Sequence, residues 1–124
     1  MSGLLNLKQG VADNSDIKQV FDVASADGAI TVPVRGRKHA FITKATAAAL
    51  TLAAPTATTH DGVEIVIVST TAAAHTVTVS TTGMNDLGTS ADVGTFGVAK
   101  GNGMTLVAYQ GDWYVTSNIG VTLA

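Results

Sequence analysis

Cysteine is absent from the 124 residues of the chain, which excludes disulfides, thiolate catalysis and thiolate metal sites together. Charge is scarce too. Asp, Glu, Lys and Arg make up 13% of the sequence with a formal net charge of -2, against roughly a quarter charged in an average soluble domain. That balance gives no broad attraction for nucleic acid or for an anionic membrane, so neither is expected as a partner. No run of about 18 apolar residues occurs, and Met1 to Lys8 lacks the basic region and apolar stretch of a secretory signal. Synthesis in the cytoplasm is the expectation. Aromatics are only 5% of the chain, so a core has to be filled mainly by Val, Ile, Leu and Ala.

What replaces the missing charge is Thr, Ser, Ala and Gly, a composition that favours strands joined by tight turns over a helical bundle. The length fits one domain. Val63 to Val68 is bounded by Asp61-Gly62 and Ser69-Thr70-Thr71, as a strand should be, and apart from Glu64 both of its faces are apolar. Such a strand is central in a sandwich or has one face against a neighbouring subunit. His75 to Thr81 alternates, with Val77 and Val79 on one face and Thr76, Thr78 and Ser80 on the other. The linker Ser69 to Ala74 is short enough for these two strands to pair as an antiparallel hairpin.

Val93 to Val98, Met104 to Tyr109 and Trp113 to Ser117 read as further strands, the last two joined by the hairpin signal Gln110-Gly111-Asp112. Upstream, Ala29 to Val34 and His39 to Thr43 flank the basic turn Arg35-Gly36-Arg37-Lys38, and Pro33 places the first of them at an edge. In Lys44 to Ala54 the alanines favour a helix while the threonines and the alternating Leu50 and Leu52 favour a strand; the strand is adopted. The expected fold is all-β: a single-domain β-sandwich or jelly-roll-like barrel of about eight short antiparallel strands over residues 28–124. Residues 1–27, with Leu4, Leu5 and Leu7, form either a frayed terminus with one strand at its end or an extended N-terminal arm that orders on docking to a partner.

Chemical constellations are sparse. His39, His60 and His75 share no metal-ligand spacing, Gly83 to Gly88 has too few carboxylates for a calcium loop, and no nucleophile elbow or phosphate loop is present. No catalytic, cofactor-binding or metal-binding residue is expected, and the chain is not read as an enzyme. Arg35, Arg37, Lys38 and His39 form the basic cluster, which suits phosphate, an acidic glycan or an acidic protein surface. Trp113 and Tyr114 are adjacent on a strand and must point to opposite faces, one into the core and the other exposed or at an interface.

The order Ile42-Thr43-Lys44, Leu50 to Thr56 and Asp61-Gly62-Val63-Glu64-Ile65, with Gly103 to Tyr109, Gly111-Asp112-Trp113-Tyr114-Val115 and the closing Asn118 to Thr122, resembles small β modules of tailed-bacteriophage virions. The resemblance spans Ala29 to Ala124. It implies a capsid decoration (cement) protein or a related head or tail fibre module. A decoration protein of this kind is a homotrimer on the outside of the shell that binds the major capsid protein and stabilises the capsid. A fibre module would instead bind a receptor or glycan. On the decoration reading Leu4, Leu5, Leu7, Arg35, Arg37 and Lys38 are the expected contacts with the shell, and no cofactor is required.

Overall fold

The computed structural model describes residues 21–124, so Leu4, Leu5 and Leu7 lie outside the described residues. Twelve strands follow one another: β1 (Phe21–Ala24), β2 (Gly28–Ile30), β3 (Arg37–Ile42), β4 (Ala49–Leu52), β5 (Glu64–Ser69), β6 (Thr76–Thr78), β7 (Met84–Asp86), β8 (Thr89–Ala91), β9 (Val93–Phe96), β10 (Gly103–Tyr109), β11 (Asp112–Ile119) and β12 (Val121–Leu123). No helix occurs among the described residues. The strands form two sheets, ordered β1-β3-β5-β10-β11-β7-β8 and β12-β9-β6-β4-β2.

Both sheets are mixed, where about eight antiparallel strands were expected. From β1 to β6 the chain alternates between them, and within each sheet the successive strands run parallel. The expected antiparallel hairpin between the segments at Val63 and His75 therefore does not form: β5 and β6 belong to different sheets. The linker instead crosses over, tied down by Thr70, whose amide and hydroxyl both donate to the Ile42 carbonyl at 2.9 and 2.7 Å. Only after β6 do antiparallel pairings enter, in β6·β9, β9·β12, β5·β10, β10·β11 and β7·β8.

Several local readings hold. Ala49–Leu52 is a strand; β2 is an edge strand, although it ends at Ile30 and leaves Pro33 outside it, and Arg37 and Lys38, read as turn, open β3; Gln110 and Gly111, with φ of 47° and 87°, form the two-residue turn joining β10 to β11, the left-handed pair that a tight hairpin needs. The segment from Gly83 to Asp92, where no strand was expected, contains the hairpin β7·β8, and β1 carries the sheet upstream of the expected boundary at residue 28.

One hydrophobic cluster draws on both sheets, with Ala40, Ile42, Ile65, Ile67, Met104, Leu106, Ala108 and Trp113 from the first and Ile30, Leu50, Leu52, Val77 and Phe96 from the second. Trp113 is fully buried, and its indole N–H donates to the Ala53 carbonyl at 2.9 Å beyond the end of β4, so one side chain both fills the core and ties the sheets together. Gly103 is required by close approach: a Cβ there would stand 2.6 Å from the Ile67 carbonyl oxygen.

Replacing Trp113 by Ala should lower stability by about 3–5 kcal/mol. Trp113→Phe, which keeps a ring but leaves the Ala53 carbonyl without its donor, should cost less. Urea unfolding followed by far-ultraviolet circular dichroism checks both, and a Trp113→Phe chain as stable as the native one would contradict the hydrogen bond's contribution.

Candidate functional site

Strand alternation sends every second side chain of the seven-stranded sheet away from the shared core, and on this sheet those side chains are largely apolar. The register aligns them in rows. Val23, Phe41, Val68, Gly103 and Ile119 form one; Phe21, His39, Val66, Thr105 and Ser117 the next; Arg37, Glu64, Val107 and Tyr114 the third. Phe21, Val23, Tyr114 and Ile119 are 57%, 54%, 41% and 63% exposed, while His39, Phe41, Val66, Val68 and Val107 are half-buried by their neighbours. Phe21 meets Phe41 edge-on at 6.1 Å, and the His39 ring stacks on Phe41 at 6.0 Å.

At ordinary strand spacings these five strands and three rows cover about 24 Å by about 20 Å, or roughly 480 Å². That is the area of the whole face; its apolar part is carried by Phe21, Val23, Phe41, Val66, Val68, Val107, Tyr114 and Ile119, and exposed apolar patches of a few hundred Å² are commonly binding surfaces. Its charged members, Arg37 and Glu64, are paired with each other at one end, so the middle of the face is uncharged.

The basic cluster is not a unit. Arg35 is exposed in the turn before β3, and Arg37 is committed to Glu64. Lys38 is only 3% exposed: its ammonium pairs with the Asp22 carboxylate and donates to the Thr31 carbonyl at 2.6 Å and to the Thr31 hydroxyl. It closes the core beside the edge strands β1 and β2 and is withdrawn from any partner. Alternation carried this information, since Lys38 shares a face with Ala40 and Ile42.

The histidines are separate. His60 Nδ1 accepts from the Thr56 amide at 2.8 Å, and beside it Asp61 accepts from the Thr58 and Gln110 amides at 3.1 and 2.7 Å, which fastens the β4–β5 loop to the β10–β11 turn. Among the described residues no group of three or more His, Asp or Glu is placed to hold a metal ion.

His75 is fully buried, a position signalled by its sharing a face with Val77 and Val79. Its Nδ1 accepts from the Ala48 amide at 3.0 Å. Nε2 lies 2.8 Å from the Thr71 hydroxyl, which itself donates to the Lys44 carbonyl at 2.6 Å. The only consistent assignment is a neutral imidazole carrying its proton on Nε2. Burial pushes the imidazole pKa below its ordinary value, against an opposing effect of the Thr71 backbone and with help from the nearby Lys44 charge. Lys44 also pairs with Asp27 at 2.8 Å. That bond, with the Ala49 amide, lowers the Asp27 carboxyl.

Two further surface features went unpredicted. Leu87, at the β7–β8 turn, is 100% exposed and has φ of 49°, a left-handed conformation that Asn or Asp adopts more readily. An open groove of about 520 Å³ lies beside β2 and β4, with Thr31, Thr51, Thr56, Thr78 and His60 among its lining. Neither had a motif to announce it. No helix of the described residues is long and apolar enough to cross a membrane.

The chain matches no protein-family model and no curated protein.

Because His75 holds a depressed pKa when folded, the unfolded chain binds the extra proton first as pH falls. Its contribution to stability is complete above about pH 6.5 and is lost as pH falls through the depressed folded value. The urea midpoint should therefore decline below about pH 6.5, and His75→Gln should remove that part of the decline whatever its baseline stability. An unchanged slope in the variant would contradict the assignment.

Proposed function

We propose that the chain is a structural virion protein, a homotrimer that binds the outside of a phage capsid through the major capsid protein and stabilises the shell. On this reading it is not an enzyme and needs no cofactor, and it acts at the capsid surface after synthesis in the host cytoplasm. The two sheets around one core are taken as a β-sandwich.

The observation that carries the reading is the apolar outer face of the seven-stranded sheet. A protein with so little charge and so large an uncovered face gains stability from association. The resemblance of Leu50 to Thr56 and of Gly111 to Val115 to phage virion modules supplies the assembly. Binding to neighbouring capsomers would add its free energy to the shell's resistance against internal pressure, because a ligand held only by the assembled state stabilises that state. For attachment, Arg35 and the segment containing Leu4, Leu5 and Leu7 remain the proposed contacts, and Lys38 is dropped from them.

A fibre module that binds a glycan is the second reading, for which the groove beside β2 and β4 offers Thr31, Thr51, Thr56 and Thr78 within a mainly apolar lining. Trp113 does not serve it, being fully buried; Tyr114, at 41% exposure, is the available stacking aromatic.

Light scattering coupled to gel filtration should give three times the chain mass of 12.5 kDa, and a clean monomer would count against the trimer. Incubation with undecorated capsids should show saturable binding, lowered by Arg35→Ala more strongly at low salt than at high salt. Deleting residues 1–8 should lower occupancy without unfolding the sheets. Glycan binding with no capsid binding would transfer the assignment to the fibre reading.

A further inference from the structure

We propose that Asn102 is a site of spontaneous covalent modification that the fold holds unreactive: its side-chain amide is lost to the backbone nitrogen of Gly103 only when the turn before β10 comes away from the turn between β11 and β12, and the junction cannot then re-form as it was. The inference goes beyond the capsid reading and does not depend on it.

The reactive pair is local. The asparagines of the chain are followed by Leu7, Ser15, Asp86, Gly103 and Ile119, so Asn102 alone precedes a glycine, whose missing Cβ leaves its backbone nitrogen free to swing onto the neighbouring side chain. The Gly103 nitrogen gives its proton to solvent hydroxide and attacks Cγ of Asn102; the N–Cγ bond forms, the Cγ–Nδ2 bond breaks, and Nδ2 takes a proton from water and leaves as ammonia. Water then opens the cyclic imide at either carbonyl, giving aspartate or a chain rerouted through the β-carbon. Nothing is oxidised or reduced.

The fold itself requires this pair. Gly103 has no room for a Cβ against the Ile67 carbonyl oxygen. Asn102 fills the space that two other glycines leave, since a Cβ on Gly97 would stand 2.9 Å from its Nδ2 and one on Gly120 would overlap its Oδ1. Its Nδ2 donates to the Gly97 carbonyl at 3.0 Å, and the Gly97 amide donates to the Gly120 carbonyl at 2.8 Å. Because β9 and β12 lie in one sheet and β10 and β11 in the other, this junction binds two crossings between the sheets side by side.

The same contacts restrain the reaction. The leaving nitrogen is the one that holds Gly97, and the attacking nitrogen is held as well. The Ser69 amide donates to the Asn102 carbonyl at 2.9 Å, which turns Asn102 toward β5; by alternation the polar backbone groups of Gly103 face β11, opposite Ile119. Reaction therefore waits on local opening. Afterwards aspartate sets a carboxylate oxygen against the Gly97 carbonyl where a donor stood, and the rerouted chain adds a backbone atom just ahead of Gly103, which has no slack against Ile67.

The test holds the full chain in mildly alkaline buffer, folded in one sample and in guanidinium chloride in the other, and locates the roughly 1 Da gain of amide-to-acid conversion by mass spectrometry of proteolytic peptides. In denaturant Asn102 should convert before every other asparagine, and in the folded chain its rate should fall roughly tenfold or more. Another asparagine converting first in denaturant overturns the site. Equal rates in the two samples overturn the protection. Asn102→Asp, identical to one product, should unfold at a lower urea concentration than the native chain, and an unchanged midpoint overturns the loss of the junction; a variant too unstable to fold is the same result carried further, and the two rates on the native chain decide the rest.

Discussion

β5 is apolar on both sides, and a strand with that pattern has to be shielded twice. Ile65 and Ile67 point into the core that the two sheets share. Val66 and Val68 point the other way. The first requirement is met within the chain, because the five-stranded sheet lays Leu50, Leu52 and Val77 against the inward side. Meeting the second with the chain's own described residues would need a third layer, which 104 positions already folded into two sheets do not provide. The arrangement of neighbours around β5 follows from this: β3 and β10 flank it and continue both apolar surfaces, inward with Ala40, Ile42, Met104 and Leu106 and outward with Phe41 and Val107.

The alternation of β1 to β6 between the sheets is held by polar groups placed at the crossings. Buried His75 accepts from the Ala48 amide and contacts the Thr71 hydroxyl, linking the approach to β4 with the approach to β6. Lys38 joins Asp22 and Thr31 where β1 and β2 leave the core open at an edge. An inward-pointing charge of this kind also discourages another strand from extending the edge. Lys38 and His75 each have named partners, consistent with the cost of leaving such groups unpaired. The crossings thus fix connectivity while the apolar residues supply the driving force.

Much of the strand layout was legible in the sequence because alternation and turn residues are local signals. The two-faced character of β5, the strand at Ala49–Leu52, the Gln110-Gly111 hairpin and the opposite orientations of Trp113 and Tyr114 could all be read from short stretches. Strand partnership could not. The linker from Ser69 to Ala74 has a length that fits a hairpin as well as a crossover, and what decides between them is the distant Ile42 carbonyl and the Ala48 amide. The short strands β7, β8 and β12 have three residues each, too few to display a period. For the interaction surface, the basic run suggested a unit of Arg35, Arg37 and Lys38, but alternation divides it, sending Lys38 inward and leaving Arg37 opposite Glu64. The apolar face itself is assembled from five strands distant in sequence, so only β5 hinted at it.

The absence of cysteine makes a direct measurement possible, since one introduced thiol is a unique label site. Thr105 lies in the middle of the seven-stranded sheet's outer face, opposite Val66 on β5, and Thr95 lies on the outward side of β9 in the other sheet. Spin labels on Thr105→Cys should show strong dipolar coupling between copies at a separation of about 20 Å or less, on the strand-spacing scale of the face, while labels on Thr95→Cys should be coupled weakly or not at all. Strong coupling at Thr95 with none at Thr105 would place the association on the opposite sheet and contradict the account.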